Sequence, residues 1–315
     1  MRKSEVLRVG TDCSGIEAPI QALKQLQIPY KHIWSSDIDK YVIQSIKANY
    51  NPDILYGDSE GLFPDGDITK RDHSLLPDID LYVAGFPCQP WSSCGKEKGF
   101  NDKRGNVFWG CIDVIKTKRP KYFILENVKG ILWNDKQNPR DKFGRTWKII
   151  LETLQSLSKY GYKIKWNLLN TKDYGIPQNR HRVFIVGSLD TDFEWPEPTE
   201  MDSLIDYIDY KDQHTRELPN YVKKRGKKLP KEGIVNLGFL QNSHSQASTI
   251  CPCILALSAH KLWNMSLSRY CNVKELLKLQ GFEKFNQVVS DHQQKKQIGN
   301  SMSVNVLCAI LNELL

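Results

Sequence analysis

The chain has 315 residues, of which 40% are hydrophobic and 25% charged, and its formal net charge at pH 7 is +8. This composition is ordinary for a globular protein of one or two domains, and no apolar run is long enough to cross a bilayer. Eight cysteines without an apparent secretory signal indicate a reducing, intracellular environment, and the positive charge is compatible with a polyanionic partner.

The first forty residues have the pattern of a nucleotide-type binding half. Residues 6–9 predict a strand, a tight turn containing Gly15 follows, and residues 19–26 predict a helix. A second strand at 32–35 ends at Asp37, where a carboxylate can accept hydrogen bonds from ribose hydroxyls. A single glycine is a weak fingerprint, so an ordinary βαβ unit with a surface Asp stays an alternative at this point.

Strands and helices continue to alternate through about the first 190 residues. Further helices are predicted at 41–48, 106–116 and 147–157, and further strands after Pro77 and at 122–125, 162–169 and 183–187. This alternation predicts an α/β fold with a mostly parallel sheet that is covered by helices on both faces.

Cys88 follows a short apolar strand that ends at Ala84. Gly85, Pro87 and Pro90 forbid regular structure around it, so the thiol is predicted to lie on a stiff loop at the carboxyl end of the strand. Ligands and reacting groups collect at such ends, and a fixed backbone suits a nucleophile. A buried structural thiol is the other interpretation.

One further polar group is predicted at the same edge, and a basic run is predicted before another strand. Glu126 ends the next strand, and the run Gln178-Asn-Arg-His-Arg precedes a later one. A thiolate nucleophile, an acid that hydrogen-bonds or protonates a ring nitrogen, and guanidiniums for an electron-rich oxygen would together serve an electron-poor heterocycle.

The pattern changes near Asp190. A linker is predicted at 194–199, and a basic run, Lys223-Lys-Arg-Gly-Lys-Lys-Leu-Pro-Lys, follows in a stretch with few apolar periods. Such a run is a solvated loop or a nucleic-acid contact. Helices are predicted at 272–281, which a glycine ends, and at 303–314.

Five motifs, taken together and in this order, resemble those of the DNA (cytosine-5)-methyltransferases. They are Gly85-Phe-Pro-Cys-Gln-Pro-Trp-Ser, Glu126-Asn-Val-Lys-Gly, Tyr174-Gly-Ile-Pro-Gln-Asn-Arg-His-Arg, Leu279-Gln-Gly-Phe and Gly299-Asn-Ser-Met-Ser-Val-Asn-Val. They span nearly the whole chain outside about 195–245.

The resemblance implies a Rossmann-like S-adenosylmethionine-dependent methyltransferase sheet with a small inserted target-recognition domain. Residues 1–190 and 291–315 would form the catalytic and cofactor-binding domain, and residues 191–290 the small domain, with the variable part at about 197–245. The last helix would return to the first domain beside the first strand.

The resemblance also implies the reaction, which is methyl transfer to C5 of a flipped-out cytosine in a specific double-stranded DNA sequence. Cys88 would add to C6 and form a covalent adduct, while Glu126 would hydrogen-bond N3 and the exocyclic amine. Arg182 would hold the O2 side of the base, and Arg180 would support the loop after Cys88.

The cofactor implied is S-adenosylmethionine. The resemblance assigns to its site Cys13, Gly15, Ile16, Asp37, Ile38, Asp67, Ile68, Pro87, Val107, Asn300 and Ser301. The family's first loop is usually written Phe-x-Gly-x-Gly, and here Cys13 replaces the aromatic residue and Glu17 the second glycine. Ile38 stands where an aromatic residue is frequent, so stacking on the adenine would be weaker.

The DNA contacts implied are mostly basic and lie on the loop after Cys88 and in the Lys223 run. They are Gln89, Ser92, Lys96, Lys98, Arg104, Gln178, Lys223, Lys224, Arg225, Lys227 and Lys228. We expect no metal site, because the Cys-x-Cys spacing of Cys251 and Cys253 has no second close pair.

Two other functions stay open on the sequence alone. One is an RNA (transfer RNA) cytosine-5 methyltransferase, since that branch shares the thiol and the Glu-Asn-Val motif, and the other is a catalytically inactive DNA-binding relative. We expect an intracellular monomer that acts on double-stranded DNA and has no membrane segment. The sequence identifies neither the recognised site nor the setting, which could be a restriction-modification system, a virus or a stand-alone regulator.

Overall fold

The computed structural model describes residues 6–87, 106–136, 140–223, 229–239 and 249–315. The strands in these ranges are β1 (Leu7–Asp12), β2 (Tyr30–Ser36), β3 (Ile54–Tyr56), β4 (Leu81–Gly85), β5 (Tyr122–Val128), β6 (Lys163–Asn170), β7 (Gln178–Asn179), β8 (His181–Ser188), β9 (Ile234–Asn236), β10 (Cys251–Pro252), β11 (Leu262–Asn264) and β12 (Arg269–Tyr270). The α-helices are α1 (Ala18–Gln25), α2 (Lys40–Asn49), α3 (Val107–Lys118), α4 (Arg145–Gln155), α5 (Asn220–Lys223), α6 (Val273–Leu279), α7 (Asp291–Asn300) and α8 (Val304–Leu314).

The main sheet has seven strands in the order β3-β2-β1-β4-β5-β8-β6. All pairs from β3 to β5 are parallel, and β8 runs antiparallel to both of its neighbours. The predicted α/β fold with a mostly parallel sheet is therefore confirmed. Because β8 is reversed, its amino end lies at the edge where the parallel strands have their carboxyl ends.

Helices cover both faces of the sheet, as predicted. Along β4, Leu81 and Val83 pack into one apolar cluster with α1, α2 and α8, whereas Tyr82 and Ala84 pack into another with α3 and α4. These four side chains are at most 1% exposed. A strand buried on both faces carries a continuous apolar run, which is the pattern seen in this sequence.

The carboxyl-terminal helix returns to the first domain. α8 packs against α1, the helix that follows β1, and its apolar residues belong to the same cluster as Val9 of β1. α7 precedes it and has no counterpart among the predicted elements. Its sequence is mostly polar, and its buried residues include Gln294 and Gln297, which hydrogen-bond each other.

The segment between about 191 and 290 contains a small antiparallel sheet of β9, β11 and β12. Val222, Val235, Leu237 and Trp263 form its apolar cluster. Other residues of the segment, such as Leu262, pack into the same apolar cluster as Val9 of β1. Because the two predicted domains share this cluster, packing does not separate them, and the boundaries given above stay predictions. Within the described ranges, no helix has the length and apolarity needed to cross a bilayer.

Candidate active site

The reversed direction of β8 brings Glu126 and Arg182 together. The strand register pairs Val128 with Arg182, so the side chain of Arg182 lies diagonally across from that of Glu126 on one face of the sheet. Nε of Arg182 is 3.0 Å from Oε1 of Glu126, and each side chain is 10% exposed. Gly85, two residues before Pro87, pairs with Glu126 on the other side, so the strand that leads to Cys88 adjoins the pair.

The environment of Glu126 shifts its pKa upward. Burial raises the pKa of this carboxyl, and the positive charges of Arg182 and Arg180 lower it by less. Within the described part of the chain, Oε1 accepts no hydrogen bond, although Arg182 is close. A carboxyl group with a raised pKa can hydrogen-bond or protonate a ring nitrogen placed beside it.

Arg180 is a framework residue rather than a catalytic one. Its side chain is 1% exposed and donates hydrogen bonds to three carbonyls, those of Ile254 (2.7 Å), Gly299 (3.2 Å) and Ser301 (2.5 Å). Burial lowers its pKa to about 10. The Nη1 and Nη2 groups bond to backbone carbonyls inside the protein, so Arg180 lies where a supporting residue would, and the supporting role given to it above stays a prediction. The predicted support of the loop after Cys88 concerns residues outside the described ranges.

Gln178 is also internal, which corrects the prediction that it contacts DNA. The side chain is fully buried. Its amide nitrogen donates to the carbonyl of Leu279 (2.7 Å) and to Oε1 of Gln280 (3.1 Å), and its oxygen accepts from the backbone N–H of Ile254 (3.1 Å). Both ends of the amide are used inside the protein, so it joins the segment around β10 to the end of α6.

Cys253 is a neighbour of the pair that the sequence did not reveal. Its Sγ lies 3.7 Å from Nη1 of Arg180 and 3.9 Å from Nη1 of Arg182. Burial raises the pKa of this thiol, but the two guanidiniums lower it by more, so the net shift is downward. In the sequence, only the Cys-x-Cys pattern draws attention to Cys253, and that pattern bears on metal binding and does not predict a contact with the arginines.

The first loop and the acid after β2 contact each other. The N–H of Gly15 donates to Oδ2 of Asp37 (3.0 Å), and the N–H of Asp39 donates to Oδ1 (2.9 Å). Burial nevertheless raises the pKa of Asp37 to about 6. A side chain built on Gly15 would meet no atom within 4 Å, so there is space in front of this loop. These features suit a ligand with hydroxyl donors.

Two more glycines press against the backbone of Asp37. A Cβ on Gly57 or Gly66 would lie 2.0 Å or 2.2 Å from its carbonyl oxygen. Ile38, the next residue, is 79% exposed and so presents a free apolar surface beside the acid. Ile68 is buried, and its carbonyl lies 3.0 Å from Nε2 of His73.

The other residues predicted to bind the cofactor have varied environments. Oδ1 of Asp67 accepts hydrogen bonds from the N–H and the hydroxyl of Thr69. In the first loop, Ile16 is fully buried, and burial raises the pKa of the Cys13 thiol well above its usual value.

The remaining residues predicted to bind the cofactor lie near α7, β4 and α3. Asn300 is exposed at the end of α7, whereas Ser301 is 5% exposed and its hydroxyl donates to the carbonyl of Met302. Pro87 follows β4 and Val107 begins α3, and both are partly exposed.

A family model described as C-5 cytosine-specific DNA methylase matches residues 12–315. The chain belongs to this family. Among the curated methylases, it is 37% identical over 235 residues to the type II methyltransferase M.NlaIV of Neisseria lactamica, an alignment that covers 73% of this chain and 52% of the relative. It is 36% identical over 287 residues to M.NgoBI of Neisseria gonorrhoeae, which covers 88% of this chain and 83% of the relative. The chain thus spans about half the length of some methylases that it matches.

Solved structures of similar fold include the Dnmt2 methyltransferase of S. pombe. Its TM-score is 0.69 at 19% identity, and 99% of this chain and 98% of that chain are covered. A putative DNA modification methyltransferase encoded within an E. coli prophage has a TM-score of 0.72 at 18% identity, with 98% of each chain covered. At this identity the likeness concerns the methylase fold alone.

Several residues predicted from the methylase motifs lie outside the described ranges. They are Cys88, Gln89, Ser92, Lys96, Lys98, Arg104, Lys224, Arg225, Lys227 and Lys228. Lys223 is described, and its ammonium forms an ion pair with Glu217 at 2.8 Å. The structure therefore brings together Glu126 and Arg182, and separately Gly15 and Asp37.

Proposed function

We propose that this chain is a DNA (cytosine-5)-methyltransferase that uses S-adenosylmethionine and modifies a cytosine in a specific double-stranded sequence. The observation that carries the proposal is the buried pair of Glu126 and Arg182, beside the strand that leads to the Pro-Cys motif. Membership of the methylase family and the type II methyltransferases among its relatives support the same activity and a place in a restriction-modification system.

Three side chains act on the target cytosine in the proposed reaction. Cys88, as a thiolate, adds to C6 of the flipped cytosine. Glu126, whose pKa burial raises, donates a proton toward N3 and accepts from the exocyclic amine, so the negative charge that develops on the ring is neutralised. Arg182 faces Glu126 and holds the O2 side of the base. After methylation, loss of the C5 proton and departure of the Cys88 sulfur restore the aromatic ring.

The residues around the first loop fit S-adenosylmethionine. When bound, this cofactor supplies an electrophilic methyl group. Asp37 would accept the ribose hydroxyls through oxygens that Gly15 and Asp39 already orient. Ile38 would cover one face of the adenine, and the open space in front of Gly15 would admit the methionine end. Asp67, Ile68, Pro87, Val107 and Asn300 would complete the site.

DNA would dock across this edge of the sheet. The lysines and arginines of the loop after Cys88 and of the Lys223 run would contact phosphates, and the small domain would read base edges. We propose that the protein acts as an intracellular monomer, since one chain carries every motif of the reaction.

Tritiated methyl transfer tests the proposal. Wild-type protein should label duplex DNA and not transfer RNA, and Cys88→Ala should label neither. DNA containing 5-fluorocytosine at the target should trap a covalent adduct with wild type and with the matched control Cys251→Ala, but not with Cys88→Ala. Label in RNA alone would support the RNA-methyltransferase branch, and duplex binding without label or adduct would support the inactive relative. Bisulfite sequencing of DNA from expressing cells would identify the recognised site.

A further inference from the structure

Glu17 occupies a position that combines backbone strain with complete burial. Its φ and ψ are 57° and 49°, in the left-handed region, and its side chain is 0% exposed. Cys13 and Gly15, at alternate positions of the same loop, also have left-handed backbones, with φ of 50° and 53°. A non-glycine residue holds this conformation only where its surroundings compensate for the strain, so the side chain of Glu17 must make contacts that glycine cannot.

Those contacts join the first loop to β2. Oε1 of Glu17 accepts hydrogen bonds from the hydroxyls of Thr11 (2.7 Å) and Ser35, and Nε2 of His32 lies 3.5 Å away. Ser35 Oγ also lies 3.0 Å from Nε2 of His32. Because the hydroxyl proton of Ser35 is directed at the carboxylate, His32 is the donor in that contact. Oε1 of Glu17 is therefore surrounded by hydrogen-bond donors from two neighbouring strands, β1 and β2.

The same two strands carry the two halves of the proposed cofactor site. The loop of residues 13–16 follows β1, and Asp37 comes two residues after Ser35. The hydroxyl of Ser14 accepts from the N–H of Ser36 at 3.1 Å, and the N–H of Gly15 donates to Asp37. A shift of the first loop relative to β2 would change the position of Gly15 against the Asp37 carboxylate.

We propose that Glu17 is a positioning residue for the cofactor, which fastens the first loop to β2 through Thr11, Ser35 and His32 and so fixes the Gly15–Asp37 contact. This inference rests on the proposed function, because it assigns those two residues to S-adenosylmethionine. Glu17 acts through the loop and touches neither substrate nor cofactor.

Three variants separate the backbone from the carboxylate. Glu17→Gly keeps the left-handed backbone without strain but removes the acceptor, and Glu17→Gln keeps an acceptor oxygen. Isothermal titration with S-adenosylhomocysteine should give a Kd about tenfold higher for Glu17→Gly and within about twofold of wild type for Glu17→Gln. Ser35→Ala should raise it about threefold and should add nothing in the Glu17→Gly background, because both changes remove the same hydrogen bond.

Kinetic constants distinguish a positioning role for Glu17 from a merely structural one. At saturating cofactor, kcat and the Kd for DNA should stay within about twofold of wild type in Glu17→Gly, while the KM for S-adenosylmethionine rises in proportion to the Kd. Glu275 is the matched control, since it is an equally buried glutamate that accepts from Arg269 at 2.7 Å in another part of the chain. Glu275→Gln should lower Tm without changing the Kd for S-adenosylhomocysteine.

The possible outcomes are distinguishable. Wild-type affinity in Glu17→Gly, or additive effects in the double variant, would overturn the inference and leave the proposed function standing. A wild-type protein that binds no S-adenosylhomocysteine would overturn the proposed function together with it. Should Glu17→Gly fail to fold, Ser35→Ala alone decides, because an unchanged Kd in that variant would contradict the role of the network.

Discussion

Nε of Arg182 lies 3.0 Å from Oε1 of Glu126, although the two residues belong to strands that run in opposite directions. The contact exists because β8 begins where β5 ends. Both side chains are largely withdrawn from water, so each depends on the other for compensation of its charge, and removal of one leaves the other poorly solvated. A polar ring inserted here would meet a carboxyl whose pKa burial raises, and beside it the guanidinium of Arg182.

Glu126→Gln should lower kcat by about 10²–10⁴-fold, because the amide has the shape of the acid but cannot give a proton to N3. Tritiated methyl transfer to duplex DNA measures the loss. Glu152→Gln, which changes an exposed glutamate of α4, should retain wild-type activity. If Glu126→Gln kept more than about a tenth of the wild-type kcat, proton donation by this residue would be excluded.

Arg180→Lys and Arg182→Lys should have opposite phenotypes. A lysine at 180 cannot reach the carbonyls of Ile254, Gly299 and Ser301 at once, so we expect the free energy of unfolding to fall by about 2–4 kcal/mol. At 182 the same change should lower kcat by about 10²-fold, as expected for loss of a group that stabilises charge on the ring. Urea unfolding and methyl transfer, measured on both variants, test the distinction, which a reversed pattern would refute.

The sequence predicts six of the seven strands of the main sheet, and the central strands β4 and β8 are the clearest because they are short apolar runs. It misses β3, which has only three residues. The order of strand, turn, helix, strand and acid is predicted at the start of the chain, and in the structure the turn contacts the acid through Gly15 and Asp37. The direction of β8 is not predictable from the sequence, because the run from Val183 to Gly187 is equally apolar whether the strand lies parallel or antiparallel to β5. Only packing against β5 and β6 determines it, and that direction is what places Arg182 beside Glu126.

Burial of polar groups is the second feature that the sequence does not predict. Gln178 lies just before the two arginines of its motif, and no local pattern distinguishes an amide bonded inside the protein from one that reaches DNA. Its partners, Leu279 and Gln280, are about a hundred residues away. The same holds for Cys253, whose neighbouring arginines are distant in the chain. It holds also for α7, which buries two glutamines, Gln294 and Gln297, beside Ile298.

Cys253 should react with iodoacetamide at a lower pH than an ordinary thiol, because Arg182 and Arg180 lower its pKa and the thiolate is the reactive form. The measurement is peptide mass spectrometry across a pH series, made in a Cys88→Ser background. Cys111, Cys251 and Cys271, which are buried and have raised pKa values, are internal controls that should stay unlabelled. Arg182→Gln should move the labelling midpoint of Cys253 upward, and an unchanged midpoint would argue against this electrostatic coupling.

Cofactor affinity should depend on the ionisation of Asp37. The pKa of about 6 means that the carboxyl is ionised at pH 7.5 and mostly protonated at pH 5 in the free protein. Since ribose hydroxyls need an acceptor, the proton competes with the ligand, and we expect the Kd for S-adenosylhomocysteine to rise about tenfold over this range. Asp37→Asn should bind weakly with no such dependence, whereas Asp53→Asn, a surface change, should titrate like wild type. Affinity that stays constant down to pH 5 would contradict the assignment.

The same raised pKa has a consequence for stability. A carboxyl whose pKa is higher in the folded protein than in the unfolded chain, about 3.9, lets the folded state bind more protons between these values. Stability therefore falls as the pH rises from about 4 to 6. In cofactor-free Asp37→Asn this dependence on pH should be absent, which Tm measurements between pH 4 and 7 check. The amide keeps only one of the two oxygens that accept from Gly15 and Asp39, so its Tm should be lower than that of wild type at pH 7.

Gly66→Ala tests how closely the backbone of Asp37 is held. The added methyl would lie 2.2 Å from the Asp37 carbonyl oxygen and 3.0 Å from Cα of Gly57, so the acid must shift. We expect a loss of about 1–3 kcal/mol in the free energy of unfolding and a weaker affinity for S-adenosylhomocysteine. Gly175→Ala is the matched control: its φ is +95°, with no atom within 4 Å of the new methyl, so it should cost about 1 kcal/mol through the backbone alone and leave the affinity unchanged. Equal affinities in the two variants would mean that the position of the Asp37 backbone does not determine cofactor binding.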